Sequence, residues 1–228
     1  MYRKSLLDKL DRKIGRYAIK NLMTVIVFGT LAVWLFDTIV GMRAGVWISS
    51  YLYFDCAAIL HGQIWRVITF VFVPSNWQPI YLFLSLYFYW LIGNSLESEW
   101  GAFKFDVFYL CGVLGSVAFG FITGYATAEY LNMSLFLAFA ILYPEHQILV
   151  FFVIPVKMKW IALVDLLLLL LLFVLGAWPV RIALLVAFAN IALFFWKGAY
   201  YRIKNVFRRR RWKRQAKRPD DNEYPFDL

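Results

Sequence analysis

The stretch "WIALVDLLLLLLLFVLGAW", residues 160–178, decides the fold class. Apart from Asp165 it carries nothing that needs water, and its length approaches the ~20 apolar residues that cross hydrocarbon as a helix. A second run, "LMTVIVFGTLAVWLF" (residues 22–36), has the same character. The chain is 62% hydrophobic and 20% aromatic, more than one soluble core requires. In a bilayer the backbone must satisfy itself, and long aliphatic runs without two-residue alternation favour helices over a barrel. The sequence therefore predicts an all-α, polytopic membrane protein.

Working outward from residues 160–178, spans are expected at 21–40, closing at a turn on Gly41, and at 79–96, 103–126, 130–143, 158–177 and 179–196. Charge supports six. Arg3, Lys4, Lys9, Arg12, Lys13, Arg16 and Lys20 precede the first span, and eleven further Lys and Arg follow from Lys197 onward, including Arg208, Arg209, Arg210 and Arg211. The positive-inside rule puts both basic tails in the cytoplasm and requires an even number of crossings. Glu97, Glu99, Lys104, Lys157 and Lys159 then fall on the inner side. A formal charge of +10 concentrated beside spans fits anionic headgroups and topology, not nucleic acid.

Leu6, Leu7, Leu10 and Ile14 recur at helical spacing in residues 1–20, as in an amphipathic helix on the inner membrane face, and no cleavable signal peptide is legible. Residues 21–197 read as one membrane domain, and 198–228 as a basic cytoplasmic tail with a disordered distal part. Between the first two spans, residues 42–78 are aromatic yet broken by Asp55, His61, Gln63, Arg66 and Pro74, as in a segment lying in the interface. "EHQILVFFVIP" (residues 145–155) is expected to be interfacial or re-entrant. Cys56 and Cys111 stand alone, so neither a metal site nor a disulfide framework is signalled, and no cofactor is expected.

Ionisable groups within or near spans are Asp37, Asp106, Glu129, His146 and, most deeply, Asp165. One acid makes no relay, so Asp165 is expected to pair with a polar group or water and fix packing; a transport or proton role is the competing reading. Ser134 could act as a nucleophile only beside a base. His61 and His146 are poorly placed for it, and Ser134 with Ala138 reads as a small-residue helix contact.

"GQIWRVITFVF" (residues 62–72), then "GNSLESEWGAFKF" (residues 93–105), then a short fourth span, resemble the rhomboid superfamily of intramembrane serine proteases and their inactive relatives. The likeness covers residues 21–197. It matches Trp65 and Arg66 to the family's first-loop pair, and Gly93, Leu96, Glu97, Trp100 and Gly101 to the inner end of its second helix. The resemblance implies a six-helix bundle with an interfacial first outer loop. It also implies that the catalytic positions fall near Tyr81 and Ser85 (oxyanion donors), Glu129 (nucleophile) and Phe188 (base). All four are replaced, and the sixth span contains no histidine. The expectation is a pseudoprotease, derlin-like in principle, that binds transmembrane segments or membrane-protein partners and influences their fate. Anionic lipids would meet the basic tails, and a homo-oligomer stays open. The alternative is an intramembrane serine protease with a displaced site using Ser134 or His61.

Overall fold

The computed structural model describes residues 13, 15–124, 126–150 and 154–194. Leu6, Leu7, Leu10, Ile14 and the arginine run 208–211 lie outside them. The chain divides into two compact units, residues 1–191 and 192–228, and the first of them holds the helical bundle. The expected domain boundary was 197/198.

Helix α1 (Leu22–Phe36) opens after Asn21, whose φ of 57° is one that asparagine tolerates. It runs on through a wide turn, Asp37–Gly41, and a last turn, Met42–Ala44, to stop at Gly45 with φ 69°. The first span was expected to close at Gly41. That glycine instead stays helical (φ −59°, ψ −45°), and the Trp47 ring packs 2.9 Å from where a Cβ would stand. Three short helices follow, α2 (Ser49–Leu52), α3 (Cys56–Leu60) and α4 (Arg66–Thr69), with a 3-10 turn at Phe70–Phe72.

Helix α5 (Pro79–Trp100) begins on a proline, whose missing N–H costs nothing in a first turn. It passes straight through Glu97 and Glu99, beyond the expected end at 96. Its stop is set by backbone geometry at Gly101 (φ 84°), which alone links it to α6 (Ala102–Thr123). Helix α7 (Glu129–Leu142) follows, and then α8 (Met158–Leu175) and α9 (Trp178–Phe194).

The segment between α7 and α8 corrects the all-α expectation. Strands β1 (Gln147–Val150) and β2 (Ile154–Lys157) pair antiparallel, Gln147 opposite Lys157 and Ile148 opposite Val156. The ladder continues past the strands, since the Met158 N–H donates to the His146 carbonyl at 2.7 Å and the Lys159 N–H to that of Pro144 at 3.1 Å. Isoleucine and valine suit a pleated ribbon, and Pro155 sits where a two-stranded sheet tolerates a missing donor.

Helix α7 is the centre of the packing, touching α5, α6 and α8, with Leu131, Ser134, Leu135, Ala138 and Phe139 buried. Gly112 of α6 faces Leu131 so closely that any Cβ there would collide. Leu137, Leu169 and Leu184 join α7, α8 and α9, with Phe188 packed against them. On the other side Trp34, Leu82 and Leu86 join α1 to α5, and Gly93 makes room for Met23.

Among the described residues, four helical segments are long and apolar enough to cross a membrane: Gly15–Ala44, Pro79–Trp100, Ala102–Thr123 and Met158–Leu175. The apolar helix α7 is shorter, 14 residues, and the described part of α9 spans 178–194. At 1.5 Å per residue α7 measures roughly 21 Å, against a hydrocarbon core of about 30 Å.

Candidate functional site

The segment between α1 and α5 is held from both ends of α2. Asp37, fully buried, accepts from the Ile48 N–H at 2.6 Å and the Ser49 N–H at 3.2 Å, so a carboxylate lies at the N-terminus of that helix. Arg66, 5% exposed, answers at the other end, its Nη1 donating to the carbonyls of Ser50 (3.0 Å) and Tyr53 (2.9 Å). Its Nε donates to Gln63 Oε1 at 2.7 Å, and its guanidinium lies 4.9 Å from the Tyr53 ring centre. The fixed fork of arginine suits three acceptors at once. Thr69 adds a hydrogen bond to the Leu52 carbonyl, and Trp65, half exposed, donates from its indole to the Tyr51 carbonyl at 3.1 Å. Asp55 caps α3 through the Ala57 and Ala58 N–H groups.

Beneath this segment a cavity of about 20 Å³ opens between α1, α5 and α7, room for about one water molecule. Thr30, Ser75, Ser85, Tyr89 and Asn132 supply its polar lining and Pro74 and Val71 its roof. None of the residues lining it is a histidine. Asn132 hydrogen-bonds Tyr89, while its Oδ1 is buried without a partner among the described residues. The Ser85 hydroxyl turns back to the Leu82 carbonyl, 2.9 Å away. Of the four positions singled out in the sequence, only Ser85 lines the cavity. Tyr81 is 57% exposed, Glu129 is the first residue of α7, and Phe188 packs against the cluster of Leu137, Leu169 and Leu184. Tyr89 and Asn132 were missed, although each stands four residues beyond a cavity residue (Ser85, Ala128), one helical turn along the same face.

At the opposite end, Glu97 Oε1 accepts the Asn21 N–H at 2.8 Å and Asp106 Oδ2 accepts the Ile19 N–H at 2.7 Å. The two carboxylates flanking the α5–α6 turn thus hold the chain entering α1. Leu96 is fully buried, and the Trp100 ring meets Phe108 edge-on at 5.4 Å. Tyr143 donates to Glu99 Oε2 at 3.2 Å, placing the end of α7 beside the end of α5. Exposed Glu145 pairs with Lys157 at 2.7 Å and Lys159 at 2.6 Å across the base of the hairpin. Hydrogen bonds from Lys157 and then Lys159 lower its carboxyl to about 2.

Ser134 is fully buried and its hydroxyl donates to the Leu131 carbonyl of its own helix at 2.7 Å. His61 ends α3, whereas His146 stands edge-on to Phe139 beside the hairpin, so the two imidazoles lie at opposite ends of the bundle. Cys56 and Cys111 are free thiols, and no three metal-ligating side chains gather among the described residues. Asp165 shares a face of α8 with Ala162 and Leu169, and its Oδ2 is buried with no hydrogen-bond partner among the described residues. Arg181, not singled out from the sequence, closes α8 by donating to the Val174 carbonyl at 2.8 Å and lies over the Trp178 ring. No family model matches the chain, and no curated protein matches it.

Proposed function

We propose that this protein is a non-catalytic, rhomboid-like membrane protein that binds transmembrane segments of other membrane proteins and influences their fate. On this reading the six apolar helices, α1 and α5–α9, cross the cell membrane and both basic termini face the cytoplasm, where they meet anionic lipid. The observation that carries the reading is the cavity between α1, α5 and α7. It gathers hydroxyl and amide groups below a clasped interfacial segment, yet holds no imidazole.

Serine hydrolysis needs a base to take the hydroxyl proton and donors preorganised for the oxyanion, each worth about 3 kcal/mol. Ser134 and Ser85 both spend their protons on carbonyls of their own helices. Binding needs neither group. The short α7 favours a locally thinned bilayer, which lowers the cost of admitting a client helix that carries polar side chains. Photocrosslinkers placed at Trp65 and at Phe83, an exposed residue of α5, test the proposal in native membranes. Adducts with membrane-protein spans are expected; adducts with lipid alone would overturn it. A serine-reactive phosphonate should leave the protein unlabelled, and labelling abolished by Ser134→Ala would install the hydrolase instead.

A further inference from the structure

Helix α8 differs from the other three long spans in how little of it the protein covers. Only 11% of its most apolar window is buried, against 28–50% for the others, and Leu163, Val164, Leu167, Leu168, Leu171 and Leu175 are all exposed. An apolar helix facing lipid needs no further explanation, but a carboxylate on it does. Asp165 lies seven residues into α8, about 10 Å from its start. It flanks the seam where Ala162, Leu169 and Phe173 meet α7 and α9, and one of its oxygens is sealed there without a donor among the described residues. Arg181, the cation on the neighbouring helix, is no partner, because it sits at the far end of α8, bonded to Val174. A second copy in the same orientation would bring that arginine to the same wrong depth. An ionised acid at this depth is expensive unless a cation or strong donor meets it.

We propose that Asp165 is the recognition point for a partner transmembrane helix carrying a lysine or arginine at matching depth, docked along the uncovered face of α8. This deepens the proposed function, on which it rests, by naming the chemistry of the client. The leucines supply close-packed contact that lipid would supply nearly as well, so they confer little selectivity, whereas the carboxylate distinguishes a basic helix from an apolar one. The partner's cation meets the partly exposed carboxylate from the uncovered side and is itself neutralised, so the two costs are offset only in the complex.

The test uses the full chain, fluorescently labelled, in phosphatidylcholine bilayers with acceptor-labelled leucine-alanine helices of one span. One helix carries a single lysine about 10 Å from its end, and its control carries leucine there. Energy transfer should show the lysine helix binding about tenfold more tightly than the control, the scale of a good polar contact between spans. Asp165→Leu should abolish that preference, and Asp165→Lys should transfer it to a helix bearing glutamate. Because the Asp165 side chain holds no hydrogen bond that α8 needs, Asp165→Leu keeps the span apolar; unchanged thermal unfolding confirms the fold. Equal binding of the two helices to the wild type, or a preference that survives Asp165→Leu, would overturn the inference. Crosslinks from Trp65 and Phe83 that persist in that event would leave the proposed function standing without this site.

Discussion

Replacing Arg66 by alanine should release the whole segment between α1 and α5. Its guanidinium makes three hydrogen bonds, to Gln63 and to the carbonyls of Ser50 and Tyr53. Hydrogen bonds to a charged group contribute about 1.5–3 kcal/mol each, so the three together set a ceiling well above the expected loss; water reaching the two carbonyls returns part of it. We expect a destabilisation of about 3 kcal/mol, confined to this segment because its anchors at Asp37 and Asp55 are local. Arg66→Lys should lose about half as much, since one ammonium cannot span acceptors spread over Ser50, Tyr53 and Gln63. Cys56 reports the effect directly, lying within the segment with its N–H on the Gly124 carbonyl, while Cys111 in α6 serves as the internal reference. Labelling of purified protein by a water-soluble maleimide should accelerate at Cys56 by up to about a hundredfold in Arg66→Ala, with Cys111 unchanged. A Cys56 rate within twofold of wild type would refute the clasp.

Gly112→Ala should destabilise the α6–α7 contact by about 1–3 kcal/mol in thermal unfolding, because its methyl meets Leu131 and, at 2.9 Å, Asn190 Nδ2. Glu97→Ala removes the acceptor of the Asn21 N–H, a loss of about 1 kcal/mol that should appear as roughly fivefold faster amide exchange at Asn21. The base of the hairpin should resist acid. The Glu145 carboxyl lies at about 2, below its ordinary 4.5, so its contribution is complete above 4.5 and disappears as pH falls through 2. Exchange protection of the Met158 and Lys159 amides should therefore persist at pH 4 and weaken near pH 2.

What the sequence made legible was whatever hydropathy and backbone punctuation control. The long runs at 22–36 and 160–178 became helices within a few residues of their expected bounds, because a continuous apolar stretch leaves no other way to satisfy its backbone. Ends were harder to read. Gly41 looked like a stop and was a packing site for Trp47, while Gly101 ended α5 after the charges of Glu97 and Glu99 had been absorbed into it. The hairpin at 147–157 was read as interfacial or re-entrant, since short apolar runs carry no period that separates strand from helix. Asp37 looked like a span-end acid that capping would satisfy. It does cap a helix, but one that begins twelve residues away, and only the fold brings the two together. The cavity was half legible: Ser85 was found through the resemblance, but Tyr89 and Asn132 lie one helical turn along the same faces and required the packing of α5 against α7 to declare themselves.

The central claim is that this bundle holds a transmembrane segment without cutting it. The mass of what is captured at Phe83 of α5 tests it most directly: a photocrosslinked adduct, isolated from membranes and weighed intact. A full-length membrane protein joined through its span is the expected result. A truncated partner ending within that span, or lipid as the sole adduct, would contradict the claim.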